Sequence, residues 1–309
     1  MPGPPPLIVV AGATATGKTE LGIRLAEALI REGRPATVIS ADSRQVYRGL
    51  DIGTAKVTAA DRARVPHVGL DLVDPDQRFA LSDFAAHARE VLDGLAARDG
   101  VALLVGGTGL YLRAVARGLD LAALPDDPAV RARLQAEFAG KGLEPLAARL
   151  RQLAPTLAED LDLANPRRVI RALEIAEIRG DGPLPVARGY DGPSTWIGLT
   201  VARHEHDQRI ASRARSQFDA GLIDEAVALR KRFDPGQPAF SAIGYREAWA
   251  VADGELSRDE AITEDARRNV AFARRQRTWF RAEPGVQWLD ATSADPFAAA
   301  LALARTVTD

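Results

Sequence analysis

The 309-residue chain contains no cysteine and a single methionine, and aromatic residues make up only 6% of it. The lack of cysteine excludes disulfide bonds and cysteine-ligated zinc. Its apolar runs fall short of the ~20 residues that a membrane-spanning helix needs, and the N-terminal MPGPPPLIVVAG lacks the basic start of a signal peptide. We therefore expect a cytoplasmic protein that has no membrane partner.

Net charge is also nearly absent, at −2, which argues against indiscriminate coating of nucleic acid. The charge is unevenly distributed, because residues 262–281 carry six arginines against two acids. A helix through this segment places Arg267, Arg274 and Arg281 on one side and buries Phe272 on the other. The pattern predicts a basic stripe that follows a phosphate backbone.

A glycine-rich segment lies between the apolar run Leu7-Ile-Val-Val and a helical pattern. It fits G-x-x-x-x-G-K-[ST], the P-loop spacing in which backbone N–H groups and a helix N-terminus surround phosphate oxygens. Lys18 adds a full charge, and the Thr19 hydroxyl is a predicted ligand of Mg²⁺. The predicted phosphate-binding residues are Gly12, Ala13, Thr14, Ala15, Thr16, Gly17, Lys18 and Thr19.

Short β-branched runs alternate with helical patterns through the first 118 residues, which is typical of a parallel sheet with helices on its faces. Strands are predicted at residues 7–10, 37–40, 67–72, 101–105, 196–203 and 286–290. Helices are predicted at 19–31, 82–98, 126–138, 143–153, 165–180, 207–232, 242–253 and 258–282. The predicted fold is α/β, with a P-loop parallel-sheet core (1–118 and 191–309) and an all-helical insertion domain (119–190).

A P-loop enzyme that cleaves a γ-phosphate normally has an acid after a second strand, where it holds Mg²⁺. Here the strand at 101–105 is followed by Gly106-Gly107-Thr108, and the available acid is Asp42, after the strand at 37–40. Because the carboxyl ends of parallel strands form the ligand crevice, Asp42 and Thr108 are both expected to face the P-loop. An alternative role for Asp42 is to cap the following turn.

Two reactions fit this set of residues. In a kinase, Asp42 activates an acceptor hydroxyl for attack on phosphorus. In an alkyl transfer, the P-loop holds a diphosphate leaving group and Asp42 takes a proton from the nucleophile that attacks carbon. The motif chemistry leaves both open.

Other polar clusters point to a large anionic partner. Besides the stripe, arginines gather in two groups: Arg167, Arg168 and Arg171, and Arg203, Arg209, Arg213 and Arg215. Three clusters favour a polyanion over a free nucleotide. His204 and His206 have a spacing that a metal site can use, but the sequence suggests no third ligand, so that interpretation is disfavoured.

Longer motifs are more specific than the P-loop. They are ISADSRQVYRGLDIGTAK (39–56), LLVGGTGLYLRA (103–114), NPRRVIRALEI (165–175), AIGYREAW (242–249) and ARRQRTWFR (273–281). In these motifs, and through nearly its whole length, the chain resembles the tRNA dimethylallyltransferases, also called tRNA isopentenyltransferases, of the bacterial type.

The resemblance implies transfer of a dimethylallyl group from dimethylallyl diphosphate to the exocyclic amine of the adenosine just 3′ of the anticodon. It implies that Mg²⁺ is required and that the target base flips out of its stack. It also implies that the helical insertion grips the anticodon stem-loop of the tRNA. Nothing in the sequence indicates an obligate dimer, and we expect a monomer.

Roles follow from the resemblance position by position. Asp42 resembles the base on the adenine amine, and Arg213 resembles an arginine that clamps the diphosphate from the far side. The implied catalytic residues are Asp42, Lys18, Thr108 and Arg213. The implied tRNA contacts are Asp42, Ser43, Arg44, Gln45, Thr108, Arg131, Arg167, Arg168, Val169, Ile170 and Arg171.

The chain departs from the family pattern at two places. Phe240-Ser241 stands where the family usually has Met-Arg, and Asn269-Val270-Ala271 stands where it usually has Thr-Arg-Gln. Arg267 and Arg268 are the expected compensation for the lost basic contacts. The alternatives are an adenylate prenyltransferase acting on free AMP, ADP or ATP, a P-loop kinase, and a non-catalytic RNA-binding protein.

Overall fold

The computed structural model describes residues 3–121, 124–159, 161–293 and 296–308. The chain forms two compact units: unit 1 comprises residues 1–118 and 189–309, and unit 2 comprises residues 119–188. The second division lies two residues before the predicted end of the insertion at residue 190. Within the described residues, no helix is long and apolar enough to span a membrane.

Unit 1 is built on a six-stranded sheet in which every neighbouring pair of strands is parallel. The strands are β1 (Leu7–Gly12), β2 (Ala36–Ser40), β3 (His67–Val68), β4 (Val101–Gly106), β5 (Ser194–Thr200) and β6 (Val286–Asp290). Their order across the sheet is β3-β2-β4-β1-β5-β6. The predicted α/β class is confirmed.

The helices surround this sheet or form unit 2. In chain order they are α1 (Lys18–Arg31), α2 (Ala59–Arg64), α3 (Leu81–Ala96), α4 (Gly109–Ala116), α5 (Pro128–Lys141), α6 (Glu144–Leu153), α7 (Pro155–Glu159), α8 (Pro166–Arg179), α9 (Arg203–Asp219), α10 (Leu222–Arg230), α11 (Tyr245–Ala252), α12 (Arg258–Arg281) and α13 (Pro296–Thr308). A short 3₁₀ turn spans Pro238–Ser241.

Alternate residues of the central strand β1 face two separate cores, as the two-residue period of a strand requires. Leu7 and Val9 belong to a core that is closed by α3, α4 and α9 to α12. Ile8 and Val10 belong to the other core, which α1 and α13 cover. Burial on both faces explains why the strands read as continuous apolar runs.

Unit 2 consists of α5 to α8 around its own apolar core. Asn165 caps α8, since its side-chain oxygen accepts the backbone N–H groups of Arg167 and Arg168 at 3.1 and 3.3 Å. Pro166 occupies the first helical position, where its missing N–H is tolerated. Asp127 caps α5 in the same way. These sequence signals account for where the helices begin.

Several boundaries differ from the sequence prediction. The single helix predicted at 207–232 is two helices, because Gly221 adopts the left-handed conformation (φ 100°) between α9 and α10. Strand β3 ends at Val68 instead of residue 72, because Gly69 turns the chain with φ 79°. The helices α2, α4, α7 and α13 were not predicted.

The sheet order places three loops at one edge. Because β4 lies between β2 and β1, the carboxyl ends of these strands are adjacent. The P-loop follows β1, Asp42 follows β2, and Gly107-Thr108 follows β4. This edge is the crevice in which open parallel sheets bind ligands.

Candidate active site

The P-loop turns sharply between β1 and α1. Its first glycine, Gly12, has φ 152°, and a Cβ atom there would lie 2.9 Å from the carbonyl oxygen of Leu199. Gly17 has φ 92° and directly precedes the first residue of α1. Both positions therefore require glycine. The loop ends at the N-terminus of a 14-residue helix, the electrostatic setting in which backbone N–H groups bind anions.

Ala15, in the middle of the loop, adopts a left-handed conformation with φ 59° although it is not glycine. For a residue with a Cβ atom this conformation costs about 1–2 kcal/mol. Such a conformation persists only where neighbouring interactions fix it. We therefore expect hydrogen bonds to fix the residues next to Ala15 in the chain.

Thr14 is held by three side chains from the C-terminal half of unit 1. Its backbone N–H donates to Oε1 of Gln276 at 2.8 Å, and its carbonyl oxygen lies 2.7 Å from Nε2 of His206. Its hydroxyl accepts a hydrogen bond from Nη1 of Arg213 at 2.6 Å. All the polar groups of Thr14 are thus engaged by residues of α9 and α12.

The carbonyl of Ala13 is also engaged, so it does not oppose an anion. It accepts the hydroxyl of Thr16 at 2.9 Å and the ammonium of Lys18 at 2.6 Å. An anion hole needs N–H groups facing inward and carbonyl oxygens satisfied elsewhere. In the P-loop the carbonyl oxygens of Ala13 and Thr14 are both satisfied by protein groups.

Asp42 and Thr108 lie together at the rim of the P-loop. Oδ1 of Asp42 accepts the backbone N–H of Arg44 at 2.8 Å, so the predicted turn-capping role is present. The hydroxyl of Thr108 accepts the backbone N–H of Ser43 at 3.0 Å, which ties the loop after β2 to the end of β4. One Asp42 oxygen thus fixes the turn. The carboxylate also attracts the charges of Lys18 and Arg213.

The electrostatics of the site favour an added anion. Burial, followed by repulsion from Arg213, lowers the pKa of Lys18 to about 7, and the nearby Asp42 carboxylate opposes this shift. Burial also lowers the pKa of the Arg213 guanidinium, against the attraction of Asp42 and Asp265. Lys18, Asp42 and Arg213 therefore act on one another across a single site. Burial opposes the positive charge of both Lys18 and Arg213, and a bound phosphate group would stabilise that charge.

Gly106, the last residue of β4, and Gly107, which follows it, are explained by close packing. A Cβ atom at Gly106 would lie 2.1 Å from the Ala41 carbonyl oxygen, and one at Gly107 would lie 2.4 Å from Nε2 of Gln276. Gln276 in turn donates to the Gly107 carbonyl at 3.0 Å. An acid has no room at Gly106, and at Gly107 it would displace the Gln276 amide that also holds Thr14. The position where a γ-phosphate-cleaving enzyme holds its metal is therefore used for packing.

The remaining predicted residues of the loop after β2 mainly fix its shape. Gln45 accepts the hydroxyl of Ser40 at 2.8 Å and donates to the Thr54 carbonyl at 3.1 Å, so its amide is engaged within the protein. Arg44 donates from Nη1 to the Pro238 carbonyl at 2.9 Å. These contacts hold the segment that carries Asp42.

In unit 2, two of the predicted tRNA-contact arginines are bound to a buried acid. Glu174 is fully buried, and its carboxylate pairs with Arg131 and Arg171, each at 2.8 Å. Arg167 and Arg168 are exposed at the start of α8, and neither is paired with a carboxylate in the part of the chain that the structure describes. Arg167 and Arg168 therefore present their charge to solvent, whereas Arg131 and Arg171 are paired with Glu174 and remain partly exposed.

Two predicted contact positions need correction. Val169 is fully buried and Ile170 nearly so, and both side chains pack in the core of unit 2. They follow Arg168 in the motif, but the helical period turns them inward. Their side chains have no access to RNA, so their assignment as tRNA contacts is wrong.

The basic stripe of α12 also changes in detail. Arg274, Arg275 and Arg281 are exposed as predicted. Phe272 was expected on the buried side, but it is exposed, and the Arg275 guanidinium lies over its ring at 5.8 Å. The adjacent Ala273 is fully buried, so Phe272 lies just outside the buried face of α12.

The two arginines expected to compensate for the departures from the family pattern are both paired with carboxylates, and their compensating role stays a prediction. Arg267 pairs with Glu264 on its own helix at 2.6 Å, and Arg268 pairs with the buried Glu247. Phe240 is buried against the rings of Tyr245 and Trp249. The arginines named as compensation are therefore engaged within the protein.

The donor set for a metal ion is small. The described residues contain no group of three or more histidine, cysteine or acidic side chains that could hold an ion. The disfavoured metal role of His204 and His206 thus gains no support there, and His206 bonds to Thr14 instead. The exposed Thr19 in the first turn of α1 fits Mg²⁺, which keeps several waters and takes its other ligands from phosphate.

Gln276, His206 and Asp265 were missed as site residues. Gln276 is the sole uncharged residue in Arg274-Arg-Gln-Arg277. It is only 7% exposed, which distinguishes it from its neighbours. An amide inside a run of arginines was the available signal. Asp265 is 1% exposed, and its burial raises its pKa to about 6.

Comparisons with known proteins identify the family of the chain. The family model described as IPP transferase matches residues 45–283. A tRNA dimethylallyltransferase of Thermobifida fusca is 45% identical over 304 residues, covering 96% of this chain and 93% of the relative. One of Kineococcus radiotolerans is 42% identical over 308 residues, covering 98% and 95%.

Solved structures match over nearly the whole chain. The tRNA isopentenylpyrophosphate transferase of Bacillus halodurans superposes with a TM-score of 0.70 at 36% identity, covering 97% of this chain and 95% of that one. A eukaryotic dimethylallyltransferase that acts on tRNA has a TM-score of 0.76 at 22% identity, which shows the shared fold. With the P-loop, Asp42 and the glycines after β4 placed as described, the chain belongs to the IPP transferase family.

Proposed function

We propose that this protein transfers a dimethylallyl group from dimethylallyl diphosphate to the exocyclic amine of the adenosine 3′-adjacent to the anticodon of tRNA. The observation that carries the proposal is the placement of Asp42 beside Lys18 and Arg213 at the rim of a P-loop. The end of β4 is closed to a metal-holding acid. This site holds a diphosphate and a base without the apparatus for cleaving a γ-phosphate.

The chemical step is a displacement at carbon. The bond from the allylic carbon to the diphosphate oxygen breaks, and its electron pair leaves with the diphosphate. The adenine nitrogen forms the new bond to that carbon, and its proton passes to the Asp42 carboxylate. The adenine amine is a poor nucleophile because its lone pair is delocalised into the ring, so removal of the proton as the bond forms assists it.

The residues of the P-loop stabilise the charge that grows on the leaving group. The N–H of Thr14 is engaged by Gln276, which leaves the amides that follow it as the donors. Arg213 supplies positive charge from one side, and Lys18 supplies it from the other once the bound diphosphate has raised its pKa. Mg²⁺ would be held by Thr19 together with the phosphate oxygens, where it neutralises charge on the diphosphate.

The polyanionic substrate is proposed from the exposed arginines and from the relatives. Arg167 and Arg168 of unit 2, and Arg274 and Arg281 of unit 1, present charge to solvent. Each phosphate that such a residue contacts releases a counterion. The target adenine must leave its stack to reach Asp42. We place the enzyme in the cytoplasm with its tRNA substrate, and we propose that it acts as a monomer.

A direct test offers radiolabelled dimethylallyl diphosphate with four acceptors in parallel: tRNA transcripts with adenosine 3′ of the anticodon, AMP, ADP and ATP. A matched transcript with guanosine at the target position is the control. We expect label in the first transcript alone. Label in the free nucleotides instead would make the protein an adenylate prenyltransferase, and transfer of the γ-phosphate of ATP would make it a kinase.

A further inference from the structure

His206 lies outside the set of residues that the proposed reaction uses. It is 1% exposed, and both ring nitrogens are engaged: Nε2 lies 2.7 Å from the Thr14 carbonyl oxygen, and Nδ1 lies 2.7 Å from Nη1 of Arg277. His206 thus connects the P-loop to α12 through hydrogen bonds as well as by packing.

The partners of the ring determine its protonation. A guanidinium has donors and no acceptor, so Nδ1 of His206 must accept from Arg277 and carries no proton. The proton is therefore on Nε2, and the ring is a neutral donor to the Thr14 carbonyl. Arg277 thus fixes the tautomer that His206 needs in order to hold the loop.

The bond to Thr14 bears directly on the strained residue that follows it. Ala15 has φ 59°, and the peptide between Thr14 and Ala15 includes the carbonyl that His206 holds. Gln276 holds the N–H of Thr14 at 2.8 Å. Without these bonds the Thr14 carbonyl is free to turn toward the anion site of the P-loop, where its oxygen would repel a phosphate.

We propose that His206 is a positioning residue for the diphosphate site. As a neutral donor oriented by Arg277, it turns the Thr14 carbonyl away from the anion and maintains the left-handed Ala15. This inference rests on the proposed function for the identity of the anion, and it adds a residue pair, His206 and Arg277, that acts only through the loop.

The test measures binding of inorganic pyrophosphate by calorimetry, with thermal melting of each variant alongside. His206→Leu removes the donor and should weaken pyrophosphate binding about 5- to 20-fold, as loss of one oriented bond to a buried carbonyl implies. His206→Gln places an amide donor in the same direction and should stay within about threefold of the wild type. Equal binding by a folded His206→Leu variant overturns the proposal.

Two further variants cover the case in which His206→Leu does not fold. Arg277→Met leaves the ring in place but removes the group that sets its tautomer, and it should weaken binding about 3-fold or more. Unchanged binding overturns the proposal. Ala15→Gly removes the cost of the left-handed conformation, so it should recover part of the lost affinity in the Arg277→Met background. Absence of any recovery contradicts the link to Ala15.

The kinetic consequence separates positioning from general damage. The KM for dimethylallyl diphosphate should rise in His206→Leu while the KM for tRNA stays near the wild-type value. A wild type that binds pyrophosphate but does not prenylate tRNA would overturn the proposed function, and the same titrations would still decide the role of His206. A wild type that binds no pyrophosphate overturns both.

Discussion

Arg213 donates a hydrogen bond from Nη1 to the hydroxyl of Thr14 at 2.6 Å, although the two residues are 199 positions apart in the chain. The bond brings a half-buried guanidinium from α9 to the loop that follows β1. Arg213 also interacts electrostatically with Lys18 and Asp42. The contact therefore links the N-terminal and C-terminal parts of unit 1 at the place where the charge of the leaving group must be stabilised.

Replacing Arg213 by Gln should reduce kcat/KM for dimethylallyl diphosphate by about 100- to 1,000-fold, because a preorganised cation at the leaving group is lost. Steady-state kinetics with saturating tRNA measure this. Thr14→Val removes the hydroxyl but keeps both cations, and its effect should be less than about 10-fold. A loss in Thr14→Val as large as that in Arg213→Gln would show that the charge of Arg213 has no separate role.

Asp42→Asn is the sharpest test of the base. An amide oxygen still accepts the N–H of Arg44, so the turn is kept while the proton acceptor is removed. We expect single-turnover prenyl transfer to fall by about 100- to 10,000-fold, with tRNA binding and pyrophosphate binding within about threefold of the wild type. Full activity in this variant would remove Asp42 from the mechanism.

Pyrophosphate binding should take up a proton at Lys18. In the free protein the pKa of this ammonium is lowered to about 7, and an adjacent polyanion raises it again. Above pH 7 the free lysine is increasingly neutral, so affinity should fall as the pH rises from 7 to 9. Calorimetry in two buffers with different ionisation enthalpies measures the uptake. Lys18→Arg, which does not titrate, is the control and should show less uptake.

Asp265 should make stability depend on pH in a defined direction. Burial raises its pKa to about 6, so its contribution to stability is present below pH ~4 and is lost as the pH rises through 6. Asp265→Asn avoids burying the charge, and its melting temperature relative to the wild type should increase between pH 5 and 7.5. Asp253, whose pKa is lowered by its bond to Arg230, is the opposite control: Asp253→Asn should lower stability at neutral pH.

The arginines of unit 2 should separate into two classes. Replacing Arg167 and Arg168 together by Ala should weaken tRNA binding and reduce the slope of log Kd against log salt by about 1–2, with little change in stability. Arg131→Ala should instead lower the free energy of unfolding by about 3 kcal/mol, because it removes one partner of the buried Glu174. Fluorescence anisotropy and denaturant melts measure the two effects. Lower stability in the Arg167 and Arg168 double variant, with unchanged stability in Arg131→Ala, would contradict the observed pairing.

The sequence was informative wherever local chemistry determines conformation. Glycines at fixed offsets, with a strand before and a helix after, predicted the P-loop, and the parallel sheet implied that Asp42 and Thr108 would share its edge. Helix caps such as Asn165 marked where unit 2 helices begin. In each case the interacting groups lie within a few residues or follow from strand order.

Only the tertiary structure decided which arginines are free and what holds the loop. Residue type and periodicity say which face a side chain occupies, but not which group it meets there. The bond from Thr14 to Gln276 spans 262 positions, and the pairing of Arg131 with the buried Glu174 spans 43. Such partners depend on how helices pack against one another, because no local rule relates two residues that distant in the chain.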